Sequence, residues 1–398
     1  MATKKGIWNL QQVRDKQLQD LWSYAGSADE AGTLWGWGDG STGRLGTNNN
    51  INYSSPIQIG SAENWNTLGA DGRVLTMNAA IKDDGTLYTW GENSEGRLGQ
   101  NQAGTGWPSY TNIKSSPVQV PGTTWSTFSR SSNTVAAIKT DGTMWVWGDN
   151  GAGQLGLNQG DVSYSSPTQL PGTTWKAVSC AAAYTAATKT DGTLWVWGQN
   201  NNSGQLGQNN ITQYSSPVQV PGTNWAFTYV AEREMWATKT NGELWAWGYN
   251  NDGQLAQNTN GDNTANYSSP VQIPGTWAVG QNKMAGGYYN FFAIKGNGTL
   301  WFMGEGGYNS NGQNNQTEYS SPVQIPGTTW DELAAGTTQA GAIKTDGTLW
   351  TWGANSAGQL GQNGTSTTNS PVQIPGSWKT GDGAIISGWN NFMAIKQP

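Results

Sequence analysis

One motif recurs seven times along the 398 residues and leaves little freedom in how the chain can fold. In its fullest form it reads TDGTLWVWGQN, at 190–200. It returns as AGTLWGWGDG (31–40), DGTLYTWGEN (84–93), DGTMWVWGDN (141–150), NGELWAWGYN (241–250), NGTLWFMGEG (297–306) and DGTLWTWGAN (346–355). The marker glycines are Gly32, Gly85, Gly142, Gly192, Gly242, Gly298 and Gly347, spaced 49 to 57 residues apart. Two further markers keep the same beat. A Ser-Pro pair falls at Pro56, Pro117, Pro167, Pro217, Pro270, Pro322 and Pro371, and a lone tryptophan follows each, at Trp65, Trp125, Trp175, Trp225, Trp277, Trp330 and Trp378. Self-similarity at a fixed period of this length denotes copies of one supersecondary unit that share a continuous core.

The chemistry inside each unit is β. Asp-Gly between two β-prone runs is a strong hairpin signal, because glycine accepts a positive φ without a Cβ clash. In Leu194-Trp195-Val196-Trp197 the side chains alternate, so both indoles share one face while Leu194 and Val196 take the other. Large groups on both faces predict a strand sandwiched between neighbouring sheets. Polar, turn-rich stretches such as NNNSGQLGQNN read as loops. SSPVQVPG and TTWKAVS read as two more short strands divided by Pro-Gly. Four strands per repeat, seven times, predict an all-β fold, a seven-bladed β-propeller.

The two ends of the repeat region supply an independent check. An Ala-Ile-Lys strand precedes most of the hairpins, as at Ala342-Ile343-Lys344, but the first repeat lacks one. The last residues, Met393-Ala394-Ile395-Lys396, are that missing strand with no hairpin after it. One blade is therefore expected to be shared between both ends, closing the ring by pairing N- and C-terminal strands and removing open sheet edges.

With DGTLWVWG followed by GQLG at Gly204–Gly207 and Gly358–Gly361, and by the variant GRLG at 43–46 and 96–99, residues 29–398 resemble the regulator of chromosome condensation repeat family. The resemblance implies a seven-bladed propeller. Eukaryotic members often carry histidine eight residues before the hairpin glycine. Here those places hold Met77, Thr134, Tyr184, Glu234, Asn290, Gln339 and, through closure, Asn391. No repeat exceeds the others by enough to hold a large inserted wedge or loop, which argues against nucleotide exchange on a small GTPase and against nucleosome binding through a basic face, and a regulator-type propeller with a protein partner is a less favoured reading.

Residues 1–28 lie outside the repeat. Asn9-Leu10-Gln11-Gln12 has the form of a capping box, and Leu10, Val13, Leu18, Leu21 and Trp22 follow at helical spacing. A short amphipathic helix near 10–24 is expected, with Trp8 ahead of it. It either packs on its own propeller or docks into a partner groove. The string GIWNLQQVRDKQLQDLW is similar to leaders on virion structural and tail-fibre proteins of marine tailed phages. That resemblance implies other virion proteins as partners of Trp8, Leu10, Val13, Leu18, Leu21 and Trp22, and a protein made in the host cytoplasm and built into a particle.

Composition narrows the chemistry. Zero histidine removes Ser-His-Asp and Cys-His catalysis and every histidine-ligated metal site. The single cysteine, Cys180, removes disulfide frameworks and thiolate zinc sites. With 20 Lys+Arg against 26 Asp+Glu, no basic stripe is available for nucleic acid. No apolar run approaches the ~18 residues of a membrane span, and no apolar segment follows Lys4-Lys5 to make a signal peptide. Asp149, Asp161 and Asp262 lack the spacing of a calcium loop, and no glycine run has phosphate-loop context, so no metal or cofactor is expected.

Most of the 24 tryptophans belong to the repeat and are read as blade packing. Trp107 and Tyr110, in the loop GTGWPSYTN, are possible ligand contacts able to stack on a sugar or a protein. Trp236 follows the densest charges of any repeat, Glu232, Arg233 and Glu234; two carboxylates two apart on a strand share a face, so this group is a second possible contact. Trp389 also falls outside the motif. The expected function is non-enzymatic: a virion structural protein whose propeller serves as decoration or host-contact module. The alternative is a lectin-like propeller for host glycans, and self-association is compatible with either.

Overall fold

The structure, a computed structural model, describes residues 32–62, 64–70, 76–103, 112–259, 261, 266–287 and 289–397. The expected leader helix with Trp8, Leu10, Val13, Leu18, Leu21 and Trp22 lies outside these residues, as do Trp107, Tyr110 and Asp262. Within them the chain forms seven four-stranded antiparallel sheets, and it is the seven-bladed propeller the repeat predicts. A regular blade comprises Trp175–Cys180, Tyr184–Lys189, Leu194–Gly198 and Tyr214–Val220, paired in chain order. First strands of successive blades touch one another and line the axis, as where Ser179 Oγ donates to Thr228 O at 2.6 Å.

Closure follows the expected register. Thr33 pairs with Lys396, Trp35 with Ala394 and Trp37 with Phe392. The closing blade reads Tyr53–Gln58, Thr33–Gly38, Asn391–Lys396, Ile385–Ser387, two strands from each end of the repeat region.

The motif residues set up this geometry locally. In the hairpin, Asp191 Oδ1 accepts from the Thr193 N–H (3.0 Å) and hydroxyl (2.7 Å), and Thr193 Oγ1 accepts from Trp195 Nε1 at 2.8 Å. One acidic side chain thus fixes the turn and, through threonine, the first indole of the strand. These bonds hold the carboxyls of Asp84, Asp141, Asp191 and Asp346 below the usual carboxylate range. The lysine ending each second strand lies over aromatic rings; Lys189 Nζ is 4.7 Å from the Trp175 centroid and 4.3 Å from that of Trp195. Lys82, Lys139, Lys239, Lys295, Lys344 and Lys396 do the same in the other blades.

The second indole, present in six of the seven motifs, holds the blades to one another. Trp197 packs with Met144, Val146 and Leu155 of the preceding blade, while Leu194 and Val196 face Trp225 and Trp247 of the next. In five blades the enclosed N–H is met by the loop that follows the third strand of the preceding blade, the Trp37 N–H alone among these indoles having no partner among the described residues. Trp90, Trp147, Trp197 and Trp247 donate to the carbonyls of Arg44, Arg97, Gln154 and Gln205 at 2.8–3.0 Å. That carbonyl belongs to the second residue of the Gly-Gln/Arg-Leu-Gly motif. The motif's last glycine lies flat under the same ring; a Cβ on Gly207, whose φ is +65°, would sit 2.7 Å from Trp247 Nε1. Two residues further along the loop, Asn209 N–H donates to Ser268 O on the outer strand of the next blade at 2.7 Å. The last such loop reaches round to the first repeat, where Asn363 N–H meets Ser54 O at 2.7 Å.

One blade departs from the rule and explains it. Its third strand carries Met303 in place of the buried indole, and the loop facing it ends in Ala256 instead of glycine, held at φ +56°. Without an indole, a methyl group fits.

Replacing Gly207 with alanine adds left-handed backbone strain and a collision with Trp247. We expect a loss of about 2–4 kcal/mol in denaturant unfolding. An unchanged midpoint would show that the glycine is not required by the ring above it.

Candidate recognition face

Strand order gives the ring two unlike ends. Asp-Gly hairpins and Pro-Gly links occupy one end. The other carries the turns between first and second strands together with the long loops between third and fourth strands. Toward the hairpin end the axis is filled. The stretches Trp277–Asn290 and Trp378–Asn391 are longer than their counterpart Trp175–Tyr184, and the extra residues cross the channel. Asn282 Nδ2 donates to Ile385 O (3.1 Å) and Gly69 O (3.4 Å), and Leu68 N–H donates to Gly383 O at 2.8 Å. Lys283 Nζ binds Asp331 Oδ1 at 2.7 Å and reaches the enclosed Glu332 carboxylate at 3.3 Å, while Lys379 Nζ donates to Asn66 O and Oδ1. These charges tie neighbouring blades, with Glu332 fully enclosed and Lys283 and Asp331 partly so.

The loop end is open and uneven. Here the charged group singled out in the sequence divides. Glu232 and Arg233 sit in the turn ahead of the strand Glu234–Lys239, so Glu232 and Glu234 do not share a strand face. Glu234 is buried, and its Oε2 accepts from the Arg233 N–H at 2.9 Å. Glu232, Arg233 and Glu234 line a small depression with Tyr249 and Tyr289. Trp236 is not a contact residue. It is fully enclosed, stacked on Phe291 with centroids 4.1 Å apart and planes 2° from parallel. Position 236 faces the next blade, where the regular repeats hold Ala136 and Ala186. An indole there fills the seam between sheets and reaches no ligand.

The residue that does face solvent is Trp389, 46% exposed, in the turn between the first and second strands of the closing blade. It borders a cleft of about 410 Å³ with Tyr289, Asn290, Glu305, Ser310, Thr337 and Thr338, drawn from three successive blades. In the sequence Trp389 was visible only as an indole off the repeat; the small residues at its counterparts, Ser131–Asn133 and Ala181–Ala183, were the available signal.

Electrostatics single out the same quarter of the loop end. Burial beside Glu305 and Glu318 pushes the Asp252 carboxyl up to about 6. Burial and then Glu318 raise Glu305 as well. Asp149, a calcium candidate, is engaged within its own loop by the Gly151 N–H and by Gln154 Nε2. Among the described residues no group of three or more His, Cys, Asp or Glu is placed to hold a metal ion. Burial pushes the Cys180 thiol up to about 12, and the enclosed side chain serves as blade packing.

The geometry defines a closed β-propeller with one filled, regular end and one open end carrying aromatic and acidic groups. The RCC1-like domain profile matches residues 33–394, and the chain belongs to that family. Among curated proteins it is similar to the RCC2 homolog of Danio rerio, 40% identical over 70 residues (17% of this chain, 14% of that protein). It is also similar to the human E3 ubiquitin-protein ligase HERC2, 30% identical over 140 residues (33% of this chain, 3% of that protein), so these matches span a small part of either relative. Among solved structures it shares its fold with human WBSCR16, at a TM-score of 0.76 and 17% identity over 92% of this chain and 100% of that one. Prp20p from Saccharomyces cerevisiae, whose structure is described with its binding to Gsp1p and histones, also scores 0.76, at 16% identity over 93% and 92%.

The raised Asp252 carboxyl gives a pH signature. The folded chain holds that proton more tightly than the unfolded chain, whose aspartates titrate near 3.8. Between about pH 4 and about pH 6 the native state therefore binds more protons, and stability falls as pH rises through this window. Asp252→Asn should remove that slope and make the protein more stable than wild type above pH 6, with little difference at pH 4. Parallel curves for both proteins from pH 4 to 7 would contradict the assignment.

Proposed function

We propose that this chain is a non-enzymatic recognition module. Its propeller binds a macromolecular partner with the loop end, and residues 1–28 join it to a virus particle as a decoration or host-contact component. The observation that carries the recognition reading is Trp389. The repeat tryptophans are enclosed or half-buried in blade seams, whereas this one stands exposed beside a cleft at the irregular end of the ring. An exposed indole over a cleft has the character of a binding anchor, large in contact area and low in ordering cost. The binding of Gsp1p and histones by Prp20p supports macromolecular recognition as a use of this fold.

The non-enzymatic part rests on side-chain supply. With no histidine the commonest general base is missing from the chain, and the buried carboxylates Glu234 and Glu332 are already engaged by neighbouring N–H and ammonium groups. The particle part rests on the similarity of residues 6–22 to phage virion leaders. Mass spectrometry of purified particles should find the chain in the virion. Deleting residues 1–28 should leave a ring that unfolds at the wild-type temperature but is missing from particles. Unchanged incorporation of the shortened chain would refute the anchoring role.

A further inference from the structure

We propose that the cleft beside Trp389 is a binding site for a neutral pyranose. The proposal rests on the loop end being the recognition face and names the ligand class that face takes.

The site is built and held in place. Gln339, from the neighbouring blade, donates through Nε2 to Gly388 O at 2.9 Å and Trp389 O at 2.8 Å, which pins the turn that carries the indole. A platform fixed before binding costs no ordering when the ligand arrives. Tyr289 forms another part of the wall, with Tyr249 6.2 Å beyond it. A pyranose ring presents axial C–H groups on one face and hydroxyls at its rim. The C–H face suits the electron-rich face of an indole, and the rim needs hydrogen-bond partners. Those partners line the cleft. Glu305 offers a carboxylate acceptor, and the Thr337 hydroxyl is enclosed and without a hydrogen-bond partner. The volume of about 410 Å³ lies within the ~300–1,000 Å³ of small-molecule sites.

The same residues decide between ligand classes. A purely apolar ligand would leave Glu305 and Thr337 desolvated and unpaired. An acidic sugar would meet Glu305 with Asp252 and Glu318 behind it, a cluster in which burial and then the neighbouring carboxylates already push the Asp252 and Glu305 carboxyls up. A basic side chain would satisfy Glu305, stack on Trp389 and donate to the Thr337 oxygen, but it leaves the hydroxyl proton without an acceptor, whereas each sugar hydroxyl both donates and accepts. A neutral sugar uses the aromatic face, the carboxylate and the hydroxyl together.

Saturation-transfer NMR on the full chain tests this with methyl α-D-mannopyranoside, methyl β-D-galactopyranoside, N-acetyl-D-glucosamine, D-glucuronate and L-arginine methyl ester. At least one of the neutral sugars should bind in the millimolar range. Trp389→Ala should weaken it by about tenfold or more and Thr337→Val by several-fold, both at unchanged melting temperature. D-glucuronate should show no transfer to wild type and gain it in Glu305→Gln. The proposal is overturned if no neutral sugar shows transfer at about 20 mM, if Trp389→Ala binds as wild type does, or if only the arginine ester binds. Incorporation into particles, measured on Trp389→Ala, is read separately: a failed sugar site leaves the anchoring result standing, and the reverse.

Discussion

Each enclosed indole of a third strand rests on the last glycine of the loop that precedes it round the ring, and Trp90, Trp147, Trp197, Trp247 and Trp352 also give their N–H to a carbonyl two residues upstream in that loop. This contact makes seven small sheets into one body. A single four-stranded blade has two apolar faces and little core of its own, so it gains stability only from its neighbours. The indole supplies the apolar area between sheets, and the carbonyl removes the cost of enclosing its N–H. The glycine lets the backbone come close enough for both. The Asp-Gly-Thr-Leu-Trp hairpin aims the strand, and the Asn–Ser bonds of the outer loops carry the link to the rim. Because the final loop grips Ser54 and the closing blade combines both ends of the repeat region, the same packing of indole on glycine, here Trp37 on Gly361, also shuts the ring.

Legibility in the sequence followed periodicity. The repeats announced blade number, strand order, facing and the shared closing blade, because a unit repeated seven times leaves seven copies of its marker residues. Features made once were harder to see. Trp236 looked like a contact residue amid charges, yet its strand position turns it into the seam against Phe291. Glu232 and Glu234 looked like a pair on one strand until the turn placed them apart. The Trp277–Asn290 and Trp378–Asn391 stretches were slightly long repeats in the sequence; in the fold they fill the axis through Asn282 and Gly383. The cleft at Trp389 joins turns of three blades, a juxtaposition that no local pattern records. The exchange of glycine for Ala256 opposite Met303 was present in the letters but had no meaning until the loop and the strand were seen to touch.

A body braced in this way can carry irregular turns without losing its register. The hairpin end is occupied by lysine–indole contacts and by the polar plug of Lys283, Asp331 and Glu332, all of which serve cohesion. The loop end differs from blade to blade, and function on a repeated scaffold resides where the repeats differ. Asp252, Glu305, Tyr289 and Trp389 belong to such departures, and all lie on that end.

The seam is tested most directly where the chain has already broken its own rule. A double-mutant cycle over Ala256→Gly and Met303→Trp places the standard pair in the one blade interface that lacks it. Met303→Trp alone should destabilise the ring, since the indole meets the Ala256 methyl. Adding Ala256→Gly should recover that loss, giving a favourable coupling of about 1–3 kcal/mol in denaturant unfolding. Strictly additive effects would contradict the account, for they would mean that loop and indole do not sense each other across the seam.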